Sequence, residues 1–156
     1  MIIDAIDTKI LNIVQSNSKT SNADIAREVG MAPSAVYERI KKLEEKGLIK
    51  EYTARLNAKA LGKGLLAFIL IRTESKKVEA NTGKLLAEFP EILEVHHIAG
   101  EDCYLIKVRT SDTEALGELL EDKFRQVGSV VSTKTTIVLN TIKETSNIEI
   151  TLNEEN

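Results

Sequence analysis

Residues Ser21 to Leu56 constrain this chain more than any other stretch. Ser21 stands three residues before Asp24, the spacing at which a side-chain oxygen accepts a bond from a backbone N–H left unpaired at a helix start. Ile25, Ala26 and Val29 follow as an apolar stripe, and Gly30 supplies the left-handed conformation that ends a helix. Pro33 opens the next helix, because its missing N–H has no intrahelical partner there. Val36, Ile40 and Leu43 recur at helical spacing, and Gly47 closes that helix. Two short helices joined by a glycine turn make a helix-turn-helix, whose second helix enters the DNA major groove. Leu48 to Leu56 alternates in part and reads as a strand or a strand pair. A first helix from Asp4 or Asp7 to Gln15, striped by Ile6, Ile10, Ile13 and Val14, completes a winged helix-turn-helix over residues 1–56. Gly62 and Gly64 mark a linker over residues 57–64.

Charge supports this division. The net charge of −3 looks unsuited to a DNA binder until it is partitioned. Residues 1–63 hold eleven Lys/Arg against eight Asp/Glu, a balance of +3. Residues 64–156 hold ten against sixteen, a balance of −6. A basic first part and an acidic second part imply two units with different partners. No apolar run approaches the roughly 20 residues needed to span a bilayer. Met1-Ile2-Ile3-Asp4 lacks the basic region and apolar core of a signal peptide, so a cytoplasmic protein is expected. The single cysteine, Cys103, excludes an intramolecular disulfide and fits a reducing compartment.

The second unit, residues 65–156, begins with the nearly unbroken apolar run Leu65 to Ile71, which reads as a strand buried on both faces. A helix from about Lys76 to Glu88 follows, with Val78, Leu85, Leu86 and Phe89 on its core face and Pro90 as its stop. Leu93 to Ala99 and Cys103 to Arg109 form a hairpin about Gly100-Glu101-Asp102. A second helix spans Thr113 to Gln126, and Val130 to Asn140 is a long strand. The order βαββαβ defines a ferredoxin-like domain. The fold class is therefore α+β. The alternating tail Ile148 to Leu152 is a candidate extra strand. Both helices of such a domain cover one face of the sheet. A first strand apolar on both faces needs the same sheet from a second chain on the other side, which predicts a homodimer.

On the second helix of the motif, Ser34, Ala35, Tyr37 and Glu38 lie on the N-terminal turns that approach base edges. Glu38 suits a cytosine amine, and Tyr37 suits a thymine methyl or a phosphate. Arg39, Lys41 and Lys42 suit phosphates, which position a protein without reading sequence. Arg39 also lies toward the core flank, where it would hold the domain together instead. Lys50, Tyr52 and Arg55 are placed to set a wing on the DNA backbone.

His96 and His97 point to opposite faces of a strand and cannot readily share a metal. No metal site is expected, and one histidine is expected to pack while the other lines the dimer face. Cys103 reads as a small buried apolar residue, since no oriented base stands at recognisable spacing. No phosphate loop, dinucleotide fingerprint or paired catalytic carboxylate stands out. Neither a cofactor nor an enzymatic activity is expected. Gly100-Glu101-Asp102 is either a solvated turn or a turn whose N–H groups and acids meet the two charged ends of a free amino acid.

The whole pattern resembles the Lrp/AsnC family, the feast/famine regulators of bacteria and archaea, over residues 3 to 143. The resemblance rests on Asp4-Ala5-Ile6-Asp7-Thr8-Lys9-Ile10-Leu11, on Asp24 to Gly30, and on Pro33-Ser34-Ala35-Val36 with Arg39 to Glu44. It continues through Gly47-Leu48-Ile49, Leu56-Asn57, Leu61-Gly62 and Ala99 to Val108. It implies a transcription regulator whose second domain dimerises, assembles further, often to an octamer, and senses an amino acid. The implied effector positions are Gly100, Glu101, Asp102 and Cys103 with Ser132, Lys134 and Thr136. Two positions depart from the family pattern. Ala32 stands where a capping serine is usual, a loss of about 1 kcal/mol of helix stability. Asp102 and Cys103 stand where the family has an aromatic residue and an aspartate, which turns the acid to the other face of the strand.

The expected function is sequence-specific regulation of double-stranded DNA with a small-molecule effector. Two alternatives remain: a ligand-independent protein that shapes DNA, and a small-molecule-binding regulatory subunit of an enzyme.

Overall fold

The computed structural model describes residues 3–74, 76–100 and 103–151, with side chains throughout except at residues 76–80. It divides into two compact units.

The first unit starts with α1 (Ala5–Ser16), capped by Asp4, whose carboxylate accepts from the Asp7 N–H while Asp7 reciprocates. Ser21 caps α2 (Asn22–Val29) by accepting from the Asp24 N–H at 3.1 Å. Gly30 ends α2 at φ 72°, a conformation that costs a side chain-bearing residue energy. Pro33 opens α3 (Pro33–Glu45), and its N-cap, Ala32, makes no side-chain bond. Gly47, at φ 69°, ends the exit turn, where the Leu48 N–H reaches the Leu43 carbonyl. Ile10, Leu11, Ile25, Ala26, Val36 and Leu43 form the core of the three helices.

Residues 50–57 carry no strand. The expected wing strand is absent because a strand exists only by pairing, and this segment meets no ladder partner among the described residues. The tail likewise forms no strand over residues 148–151, and Leu152 lies outside the described residues. The tail groups with the helical unit and not with the sheet: Ile150 packs on the helical core.

The second unit contains β1 (Leu65–Thr73), α4 (Lys76–Ala87), β2 (Ile92–His97), β3 (Tyr104–Thr110) and β4 (Val130–Ile137). Between β3 and β4 lie α5 (Thr113–Glu118), a π-helical turn (Leu119–Lys123) and α6 (Phe124–Val127). Strand order is β2-β3-β1-β4 with every pair antiparallel, the ferredoxin-like topology. Ala67, Ile69 and Ile71 of β1 join Ile106 and Val108 of β3 in the core under the helices. Gly83 lets α4 sit on the Tyr104 ring: a Cβ there would meet its Cε1 at 2.9 Å. The segment at 57–64 is an ordered turn, held by the Lys63 N–H on the Ala58 carbonyl and the Ala60 N–H on Asn57 Oδ1.

Burial along β1 differs between its two faces. Only one face is fully covered within this chain. On the other, Leu66 is buried and Leu70 half-buried, but Phe68 is 36% exposed.

Candidate DNA interface and effector site

Helix α3 is held by its apolar edge. Val36 and Leu43 are buried, and this fixes the opposite side outward. Ser34, Tyr37, Glu38, Lys41 and Lys42 are exposed, and Ala35 is half-buried. Of the expected base-facing and phosphate-facing residues of α3, Ser34, Tyr37, Glu38, Lys41 and Lys42 therefore face solvent, with Tyr37 55% exposed. An open cleft beside α3 has apolar lining from Val14, Ile25 and Ile40 and polar lining from Lys41, Glu44 and Tyr52. The Tyr52 hydroxyl donates to Glu44 Oε1 at 2.7 Å. Partial burial and that carboxylate push the phenol up to about 12.

Two arginines expected at phosphates have acidic partners in this structure. Arg39 Nη1 bonds Asp4 Oδ2 and Asp7 Oδ1, each at 2.7 Å, which ties α3 to the start of α1. Its guanidinium is engaged within the domain, as the core-flank role requires. The Asp7 N–H, followed by the Arg39 guanidinium, holds the Asp4 carboxyl below its ordinary range. Arg55 donates from Nη1 to the Glu144 carbonyl at 2.6 Å and from Nη2 to Glu144 Oε2 at 3.4 Å. Sequence spacing carries no hint of either pairing, because their partners lie far along the chain. An acid pair on the first turn of α1 is visible in the sequence, but the arginine it serves is not.

In the second unit, Ser132, Lys134 and Thr136 alternate along β4 and share one face. They pair with Arg72, Leu70 and Phe68 of β1, on the face the helices leave open. Gly100 lies at φ 141°, and Cys103 follows at the same end of the sheet as Ser132, its N–H bonding the Ile71 carbonyl at 2.8 Å. Glu101 and Asp102 lie outside the described residues. Cys103 and Ser132 therefore flank the end of β1, while Thr136 stands two alternations further along β4. The Cys103 thiol accepts from Thr73 Oγ1 at 3.4 Å and packs against the core, as a small apolar residue does.

His96 and His97 both remain exposed, so neither is packed away. His96 Nε2 lies 3.2 Å from Glu94 Oε2, and Lys107 Nζ lies 3.1 Å from Glu94 Oε1. His96 and then Lys107 hold the Glu94 carboxyl below its ordinary range. The His97 ring lies 5.2 Å from that of Tyr104. Among the described residues no group of three or more His, Cys, Asp or Glu is gathered as a metal site, and no helix is long and apolar enough to cross a membrane.

A three-helix DNA-binding head and a ferredoxin-like sheet on one chain define a one-component regulator class. Residues 3–50 match the winged helix-turn-helix DNA-binding family, and residues 66–148 match the Lrp/AsnC ligand binding domain. The chain belongs to the Lrp/AsnC family of transcriptional regulators. The transcriptional regulator FL11 of Pyrococcus furiosus is 40% identical over 96% of this chain and 97% of its own length. The leucine-responsive regulatory protein of Haemophilus influenzae is 36% identical over 92% and 88%. Among solved structures, a Neisseria meningitidis transcriptional regulator in complex with L-Met superposes with a TM-score of 0.89 at 28% identity, covering 94% of this chain and 96% of that one. Escherichia coli AsnC gives 0.87 at 27% identity, covering 94% and 99%. The protein is thus a transcriptional regulator with a DNA-binding head and a ligand-binding domain.

Proposed function

We propose that this regulator reads operator DNA with α3 and responds to an amino acid held by the sheet domain, acting in the cytoplasm and catalysing no reaction of its own. The observation that carries the reading is the outward side of α3. Lys41 and Lys42 are exposed there beside Ser34, Tyr37 and Glu38. Lysines on such a face neutralise phosphates, and the first turns meet base edges.

The open face of the sheet supports a homodimer. Phe68 and Leu70 stand beside Leu105 on that face, outside the helix-covered core. A second copy packed there at about 10 Å covers them. Two heads on one side of a duplex require half-sites separated by whole turns, about 10 bp or a multiple. An octamer of four dimers is the assembly this reading favours. The effector sits by Gly100, Cys103, Ser132, Lys134 and Thr136. A ligand there shifts DNA affinity only through different affinities for two assembly states. The N. meningitidis structure holds L-Met, and an amino acid is the ligand class proposed for this chain.

The test is fluorescence anisotropy on the DNA upstream of its own gene against scrambled DNA, with and without a panel of twenty amino acids. Preferential binding that one amino acid shifts supports the reading. Lys41→Ala with Lys42→Ala lowers affinity and flattens its salt dependence, by about 0.9 in log–log slope for each phosphate no longer neutralised. Unchanged binding by that double variant sends the helical part to a protein partner and favours a regulatory subunit. One observation favours a ligand-independent DNA-shaping protein: Cys103 stands at the position the resemblance gives to an aspartate, and its thiol is packed. Calorimetry with the same panel decides, since specific heat from any amino acid removes that second reading.

A further inference from the structure

The tail of the chain is bound to the DNA-binding head at three places. Arg55 takes two oxygens of Glu144, its main-chain carbonyl and its carboxylate. The Gln15 amide at the end of α1 pairs with Ile148 in both directions: Nε2 donates to the Ile148 carbonyl at 2.9 Å, and Oε1 accepts from the Ile148 N–H at 3.1 Å. Ile150 then packs against the helical core. A main-chain group is thus held by a side-chain amide and flanked by an ion pair and an apolar contact.

The chemistry of the Arg55 contact is that of a phosphate contact. A guanidinium offers parallel N–H donors to two oxygens. Here the Glu144 main-chain carbonyl takes one at 2.6 Å and its carboxylate the other at 3.4 Å, and a phosphate offers two oxygens in their place. Arg55 follows the recognition helix in sequence, on the segment expected to set a wing on the DNA backbone, and its side chain is 59% exposed. Both groups are solvent-accessible, so the pair is weak enough to exchange.

We propose that residues 143–151 are an internal competitor for DNA: Glu144 occupies Arg55, and operator binding exchanges that carboxylate for a phosphate. This rests on the DNA-binding reading above. The tail follows β4 directly in sequence, so the chain that carries Ser132, Lys134 and Thr136 also carries the competitor. Conditions that hold the tail on the head lower DNA affinity, and conditions that free it raise affinity.

The experiment is a double-mutant cycle on the full chain, read by anisotropy at fixed salt. Truncation is avoided because Ile150 packs on the helical core. Glu144→Ala removes the carboxylate and leaves the main-chain carbonyl that Arg55 also holds. It is expected to tighten DNA binding by up to about five-fold, the factor that releasing one surface ion pair corresponds to. In an Arg55→Ala background the same change is expected to do nothing. Gln15→Ala, which loosens the tail without altering charge, is expected to tighten binding in the same direction. Glu51→Ala, an exposed acid on the same segment, reports the general effect of removing a negative charge. Equal gains from Glu144→Ala in both Arg55 backgrounds, or a gain no larger than that of Glu51→Ala, overturn the proposal and leave the DNA-binding reading intact. No change in any tail variant does the same. Absence of DNA binding by the wild-type chain overturns the reading and the proposal together.

Discussion

Among the described residues, six buried apolar side chains form the core of the helical unit and twelve that of the sheet unit. The larger core is organised by a sheet with helices on one side, and its apolar area outweighs its own polar ties, Glu91 to Lys123 and Glu94 to Lys107. The smaller one draws on polar ties: Arg39 to Asp4 and Asp7, Tyr52 to Glu44, and Gln15 to the tail. Small domains bury a lesser share of their surface and carry little surplus stability. The head is therefore the part whose stability a few polar contacts tune, and the sheet is the part that tolerates their loss.

The largest expected effect breaks the sheet. Ile69 is wholly buried at the centre of β1, between β3 and β4. Ile69→Ala is expected to cost the sheet unit about 3 kcal/mol, transfer and cavity combined. Urea unfolding followed separately by NMR signals of each unit checks it. A uniform loss in both units would show that the two fold as one, and the contrast between them would fail.

Next in size is Arg39→Ala. It leaves Asp4 and Asp7 facing one another at the start of α1 without their shared cation. About 1 kcal/mol is expected from the helical unit alone, since Asp4 is half exposed and solvent screens the pair. Arg39→Lys restores one contact at most, because an ammonium lacks the planar fork. A thermal melt of the head that is unchanged by Arg39→Ala would assign its stability to the apolar core after all.

A gain is expected from Ala32→Ser. The N-cap of α3 offers no side-chain acceptor to the N–H groups of the first turn. A serine hydroxyl there accepts from one of them and stabilises the head by about 1 kcal/mol. Gln15→Ala, in contrast, loosens only the tail. The pair of variants separates head stability from tail docking in one melt.

Local rules account for what was legible. Caps at Ser21 and Gly30, the proline at 33 and the order of apolar runs give the order of helices and sheet strands, because each depends on neighbours within a turn or a pleat. The π-helical turn at Leu119–Lys123, which divides the helix expected over Thr113 to Gln126, was not legible. What failed depended on distant partners. Leu48 to Leu56 has strand-like alternation, yet a strand needs a ladder and this segment has none among the described residues. Leu65 to Ile71 is apolar on both faces and only one is fully covered within the chain, because apolar residues record where burial is required, including burial that one chain does not supply. For the site, the outward side of α3 followed from the positions of Val36 and Leu43 alone. The core-flank role of Arg39 was legible too, but the partners of Arg39 and Arg55 were not, since an arginine's partner is chosen by tertiary geometry and theirs lie 35, 32 and 89 residues away.

The smallest expected effects are in pH, and they bracket the head from both sides. The Asp4 carboxyl lies below its ordinary 3.8. Its contribution is complete above 3.8 and fades as pH falls through the lower folded value. Tyr52 has the opposite sign. Its hydroxyl donates to Glu44, and its ionisation is raised from 10 to about 12. Its contribution is complete below 10 and fades between 10 and about 12. Tyrosinate absorbance should therefore show a late step that Tyr52→Phe deletes. Glu44→Gln should move that step toward 10, because the carboxylate no longer opposes a second negative charge beside it. If the late step survives Tyr52→Phe, another tyrosine carries it. The tie between α3 and the segment after it is then not what protects the Tyr52 phenol.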